Sequence, residues 1–94
     1  MSRHMTRRCD TVSAVGEVEA ALAGAIREHR RAQEMSQASL ARLAGMPVDA
    51  VQPLEVGRRS ISAAELIALA LALGVPLASL LYRLDVDVQR RLGL

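Results

Sequence analysis

Arginine is the residue type in this sequence that is best suited to bind another molecule. All twelve basic residues are arginine, and a guanidinium group can donate two parallel hydrogen bonds to a carboxylate or a phosphate. Their distribution is uneven: the first fourteen residues contain three arginines and one aspartate, whereas residues 17–83 contain seven arginines and seven acidic residues. The formal net charge of +2 therefore does not by itself indicate a nucleic-acid partner. Such a partner has to be inferred from where the individual arginines lie.

Groups suited to catalysis or metal binding are scarce. The one cysteine, Cys9, lies in a polar N-terminal stretch, and His29 has no cysteine, histidine or acidic residue at the spacing of metal ligands. Without lysine and without a nucleophile–base pair, the sequence predicts no enzyme, no metal site and no cofactor. A single cysteine forms no internal disulfide, and the first ten residues contain no apolar signal segment. Both features favour a cytoplasmic protein.

The composition predicts an all-α fold in one domain. Apolar residues make up 51% of the 94-residue chain but aromatic residues only 1%, so the strand-forming residue types are depleted. Residues 61–81 contain one charge, Glu65, and could suggest a membrane span. However, Gly74 and Pro76 divide this stretch into two short helices. We therefore expect no membrane segment.

Apolar periodicity and capping residues predict five helices. The first runs from about Val15 to Gln33, and the second begins after Ser36 and ends at Gly45. Residues 47–55 form the third, and the fourth follows a capping box at residues 62–65 and ends at Gly74. Pro76 opens the fifth. The tail, residues 84–94, alternates like an edge strand, but its charges and Gly93 favour a short sixth helix.

The stretch from Leu22 to Leu81 resembles the lambda-repressor-like helix-turn-helix domain of the XRE and Cro group. The matching segments, in chain order, are IREHRR, SQASLARLAG, the L-E-x-G of residues 54–57, and LALALGVPLASLL. The resemblance implies a five-helix bundle that contains a helix-turn-helix. Residues 1–14 are polar and aperiodic, which predicts a disordered basic arm before a DNA-binding domain at residues 15–83. Residues 84–94 form a C-terminal tail that we expect to contact a second subunit.

The same resemblance implies which residues meet DNA. In this family helix two crosses the DNA backbone and helix three enters the major groove. The start of helix two and the loop after helix three match the positions that contact phosphate in the family. One further residue on helix two and one on helix three are expected to be exposed towards DNA. The expected DNA-binding set is Gln37, Arg42, Val48, Asp49, Gln52, Arg58 and Arg59. The resemblance also implies a structural ion pair between Arg30 and Glu55.

Helix three departs from the family at its reading positions, Val48, Asp49 and Pro53. None of these side chains can donate a hydrogen bond, although Asp49 can accept one from cytosine and Val48 can touch a thymine methyl group. If the helix begins near Val48, Pro53 removes an internal hydrogen bond at a cost of about 3 kcal/mol. If Asp49 caps the helix and Gln52 is its partner, Pro53 lies just beyond the first turn and the cost is smaller. Either alternative predicts a short or bent helix three.

These features predict a small, repressor-like transcriptional regulator that binds double-stranded DNA as a homodimer. The alternative is an interaction module or antitoxin-like partner that keeps the fold, binds another protein and has weak or no sequence-specific DNA binding. Apolar residues in helix five and the tail have little of their own chain to cover them, so we expect them to form the dimer interface. These residues are Leu80, Leu81, Leu84, Val88 and Leu92.

Overall fold

The computed structural model describes residues 2–82 and residue 90, with side chains described from residue 15 onward. Its helices are α1 (Ser2–Ala32), α2 (Gln37–Ala44), α3 (Val51–Glu55) and α4 (Ala63–Leu73), followed by α5 at residues 77–82. A single 3-10 turn, Val48–Ala50, leads directly into α3. No strand occurs in this described part of the chain. The all-α, five-helix expectation is confirmed.

The first helix begins earlier than its apolar periodicity predicts. It starts at Ser2, so the backbone of residues 2–14 is helical where the sequence predicted a disordered arm. Neither proline nor glycine occurs in this stretch, so no residue in it breaks the helix. The tail at residues 84–94 was predicted to be helical or an edge strand, and apart from Arg90 it lies outside the described residues.

Serine hydroxyl groups accept hydrogen bonds from first-turn backbone N–H groups of α2 and α4, as the sequence predicts. The Ser36 hydroxyl accepts a hydrogen bond from the Ser39 backbone N–H at 3.0 Å. In α4, the Ser62 hydroxyl accepts from the Glu65 N–H and the Glu65 carboxylate accepts from the Ser62 N–H, each at 3.1 Å. This reciprocal pair satisfies two N–H groups that have no partner within the helix.

Helix three is divided into a 3-10 turn and a five-residue α-helix. Neither Pro47 nor Ala50, the residues before these two segments, makes a side-chain capping hydrogen bond, so Asp49 does not act as the cap. Pro53 is the third residue of α3, where a backbone N–H has no partner within the helix. The proline therefore interrupts no hydrogen bond within α3 itself.

The core is formed by leucine, isoleucine, valine and alanine side chains from all five helices. Glu55 is the one charged residue buried in the described part of the chain. Leu80 of α5 is fully buried in this core, so its prediction as a dimer contact is wrong, because it packs on its own subunit. The core residues are Leu22, Ala25, Ile26, Leu40, Ala41, Val51, Leu54, Leu69, Ala70, Leu73 and Leu80. None of the described helices is long and apolar enough to cross a bilayer.

Candidate nucleic-acid interface

The 3-10 turn and α3 present one side to solvent and bury the other. Val51 and Leu54 have no exposed surface, which fixes the rotation of α3 on the core. Consequently Val48, Asp49 and Gln52 are all exposed along the opposite side. Pro53 is half-buried and contributes less to this surface. The exposed groups are one carboxylate, one amide and one apolar side chain.

A buried polar cluster connects α1, α2 and α3 behind this surface. The Glu55 carboxylate accepts hydrogen bonds from Arg30 Nε at 2.6 Å and from a terminal guanidinium nitrogen of Arg30 at 3.1 Å. Arg30 also donates to the Met35 carbonyl oxygen at 2.8 Å. The side chains of Arg30 and Glu55 are 11% and 1% exposed. The two residues thus form the predicted ion pair, which closes the α1–α2 turn onto α3.

Gln37 belongs to this cluster as well as to the surface. Its Nε2 donates to Glu55 Oε1 at 2.9 Å, so the carboxylate accepts three side-chain hydrogen bonds. Gln37 is the first residue of α2 and is half-buried. One of its two amide hydrogens is therefore used inside the protein, and the sequence did not predict this role.

Arg59, expected to contact phosphate, is paired with a carboxylate of its own chain. Its two terminal nitrogens donate to the two Glu65 oxygens at 3.2 and 2.5 Å. The hydrogen bonds from Arg59, and then that from the Ser62 N–H, lower the pKa of the Glu65 carboxyl below its usual value. The pair is at the surface, with Arg59 38% exposed. The guanidinium charge of Arg59 is balanced within the protein.

Arg42 and Arg58 have no carboxylate partner among the described residues. Both are exposed, and Arg42 donates to the Ser39 hydroxyl at 3.4 Å, within α2. Arg58 follows Gly57, whose φ of 78° ends α3, and its backbone N–H donates to the Pro53 carbonyl oxygen at 2.8 Å. This left-handed turn positions the Arg58 backbone directly after α3. Of the predicted phosphate contacts, these two therefore have side-chain charges free to meet an anion.

Three apolar side chains are also exposed on the helix-turn-helix. Leu43 of α2 is 63% exposed, Val48 of the 3-10 turn 55%, and Val56 after α3 49%. Only Val48 was among the predicted contacts. Apolar surface of this kind can contact thymine methyl groups or a protein partner.

The predicted dimer-interface residues match the exposed apolar surface only in part. Leu81 is 37% exposed, whereas Leu84, Val88 and Leu92 lie outside the described residues. The sequence missed Ile67 and Leu71, which lie four residues apart on one side of α4 and are 50% and 76% exposed. Helix α4 is apolar on nearly every side, so periodicity could not show which of its leucines would be exposed.

A second missed contact fixes α4 against α1. The Gln33 side-chain amide donates to the Leu73 carbonyl oxygen at 2.6 Å. This hydrogen bond satisfies one of the carbonyl groups that lack a partner at the end of a helix. No sequence pattern marks a pair separated by forty residues.

Comparisons with known proteins agree with this geometry. The model of the Helix-turn-helix family matches residues 26–80. The structure is similar to that of the restriction-modification controller protein C.AhdI from Aeromonas hydrophila, with a TM-score of 0.62 and 33% identity over 65% of this chain and 92% of that one. It is also similar to the clp gene regulator ClgR from Corynebacterium glutamicum, with a TM-score of 0.68 and 26% identity over 72% of this chain and 88% of that one. No curated protein matches the sequence.

Proposed function

The chain belongs to the helix-turn-helix family, and from this premise we propose that it is a small transcriptional regulator that binds double-stranded DNA through α2 and α3. The observation that carries this proposal is the surface of the 3-10 turn and α3. Val51 and Leu54 hold it on the core, and its opposite side is exposed. Both structural relatives bear names of regulators or controllers, which supports the same function.

We further propose that phosphate contacts supply most of the affinity. Arg42 and Arg58 lie on α2 and just after α3, and neither is neutralised by a described carboxylate. Gln37 has one amide hydrogen left for a phosphate beside the N-terminal N–H groups of α2. Phosphate contacts position a protein on DNA without reading its sequence.

Sequence discrimination is weaker in this proposal than in dedicated readers. Gln52 can form a bidentate contact with adenine, Asp49 can accept from cytosine, and Val48 can touch a thymine methyl group. A good bidentate contact is worth about 1–3 kcal/mol, and only Gln52 offers one. Asp49 also carries a negative charge towards the phosphates, which opposes binding to any sequence.

We propose that the protein acts as a homodimer through exposed apolar residues of α4 and α5. Ile67 and Leu71 on α4 and Leu77 and Leu81 on α5 form two exposed pairs, each spaced by four residues. From residue 60 to residue 82 only Glu65 is charged, and it is paired with Arg59. Two copies can therefore meet here without repulsion between like charges, and a dimer can bind paired half-sites.

The test is a binding titration at several salt concentrations on the DNA upstream of the protein's own gene and on a scrambled sequence. Arg58→Ala should weaken binding to both sequences and reduce the salt slope by about 1.8, because one phosphate contact is lost from each subunit of the proposed dimer. Arg27→Ala is the matched control, since it removes the same charge from the exposed surface of α1. Asp49→Asn should strengthen binding to both sequences.

The second candidate function is that of a protein-binding module or antitoxin-like partner. The exposed Leu43, Val48 and Val56 favour it, because they place apolar surface where DNA would bind. Absence of binding to either DNA at low salt, by a folded protein, would favour this candidate. A specificity ratio above about 10⁴ would show instead that helix three is a dedicated reader. In both candidates we propose a cytoplasmic protein without enzymatic activity.

A further inference from the structure

The pairing of Arg59 with Glu65 has a consequence for DNA binding. Both terminal nitrogens of the guanidinium donate to Glu65 oxygens, in the parallel geometry that a phosphate would otherwise accept. Arg58, the preceding residue, has no such partner in the described part of the chain. Two adjacent arginines in the loop after α3 are therefore in different electrostatic states.

We propose that Glu65 masks Arg59 from the DNA backbone and thereby sets the affinity of the protein for DNA. This inference rests on the proposed function. A phosphate that approaches Arg59 must displace the Glu65 carboxylate or tolerate its negative charge at close range. A surface ion pair of this kind is weak because water screens both charges, so a phosphate can compete with it. Glu65 lies on α4, outside the residues expected to contact DNA.

Glu65 can be neutralised without removing its role in the helix. Its Oε1 accepts from the Ser62 N–H at 3.1 Å, and a glutamine at this position of a capping box can accept the same hydrogen bond. Glu65→Gln therefore removes the charge that holds Arg59 and keeps the start of α4. Its thermal unfolding temperature, compared with that of the wild type, shows whether the fold is retained.

The experiment is a double-mutant cycle on the full chain. Wild type, Glu65→Gln, Arg59→Ala and the double variant are titrated on one DNA duplex between 50 and 200 mM salt. Glu65→Gln should bind more tightly at 50 mM, and its affinity should fall about 12-fold more across this range, because one added phosphate contact in each subunit of the proposed dimer changes the slope by about 1.8. The gain should disappear in the Arg59→Ala background. Glu19→Gln on α1 is the matched control for the change in net charge.

The outcomes separate this inference from the proposed function. If the wild type binds DNA and Glu65→Gln binds no more tightly than Glu19→Gln, the inference is overturned. If Glu65→Gln binds more weakly, Glu65 orients Arg59 towards the phosphate, which also overturns it. If neither the wild type nor Glu65→Gln binds at 50 mM while both are folded, the proposed function fails and the inference fails with it. Binding by Glu65→Gln alone would support both.

Discussion

Removal of the Glu55 carboxylate is the most informative perturbation of the polar cluster that connects α1, α2 and α3. Glu55→Ala removes three hydrogen bonds at once, two from Arg30 and one from Gln37. The Arg30 side chain, which is 11% exposed in the wild type, then keeps its hydrogen bond to the Met35 carbonyl oxygen as the remaining described contact. Loss of one partner of a buried ion pair costs about 3–5 kcal/mol. Because Arg30 keeps that contact and some access to water, we expect about 3 kcal/mol, the lower end of this range.

Urea unfolding followed by far-UV circular dichroism measures this loss. The midpoint should fall while the slope of free energy against urea stays unchanged, because the surface exposed on unfolding is the same. In thermal unfolding, about 3 kcal/mol corresponds to a decrease of roughly 12–24 °C for a domain of this size. A loss of about 3 kcal/mol is a large part of the free energy of unfolding of a small domain, which is about 5–15 kcal/mol.

Two further variants separate the ion pair from general damage to packing. Gln37→Ala removes one of the three hydrogen bonds to a charged group and should cost about 1.5 kcal/mol. Replacing both charges, in the double variant Arg30→Met and Glu55→Leu, should recover most of the loss, since a well-packed apolar pair avoids burying an unpaired charge. A loss below about 1 kcal/mol for Glu55→Ala would refute the reasoning, as it would mean that water replaces the carboxylate at little cost.

Three other predictions follow from the same structure. Glu34 has a positive φ of 54°, so Glu34→Gly should raise the free energy of unfolding by about 1 kcal/mol in urea, and Glu34→Ala, which keeps a β-carbon, should not. Leu71→Glu should convert the proposed dimer to a monomer in sedimentation without loss of stability, whereas Leu80→Ala should cost about 2–5 kcal/mol in unfolding because Leu80 is in the core. The pKa of Glu65 is lowered in the folded protein, so its stabilising contribution is present above the ordinary value of 4.5 and is lost as the pH falls below it. Urea unfolding at pH 6 and pH 3 should show a smaller loss for Glu65→Gln than for the wild type.

The helix boundaries that depend on local chemistry could be predicted from the sequence. Ser36 and Ser62 cap the helices they precede, and Gly45 and Gly74 end the same helices in left-handed conformations. Each of these interactions joins residues three to five positions apart, so the sequence contains all the information needed. The start of α1 is different, because several residues of N-cap types precede Val15, Ser2, Asp10 and Ser13 among them, and nothing in the sequence selects the boundary at Ser2.

Beyond the helix caps, the partners of the polar side chains could be predicted only where the family resemblance supplied them. Arg30 and Glu55 are paired across 25 positions, as the resemblance implied. From the sequence alone, Arg59 could pair with any of several acidic residues. Gln37 could form hydrogen bonds either with water or with groups of the protein. Which partner each side chain meets depends on how α4 and α3 pack, and packing follows from the shared core. Leu80 was assigned to an interface for the same reason, since a leucine suits a core and a dimer contact equally well.

The pairing of charges also limits how strongly DNA binding can depend on salt. Among the described residues of the helix-turn-helix, Arg42 and Arg58 are the cations without a carboxylate partner, so a homodimer presents four such charges. Each neutralised phosphate contributes about 0.9 to the slope of log affinity against log salt, which gives about −3.6 for the dimer. Release of Arg59 from Glu65 in both subunits would steepen the slope to about −5.4. A measured slope well beyond that value requires other cations, and the N-terminal arginines Arg3, Arg7 and Arg8 are the candidates. Deletion of residues 1–8 would then bring the slope back to this range, whereas an unchanged steep slope would refute the assignment of phosphate contacts to α2, the loop after α3 and the N-terminal segment.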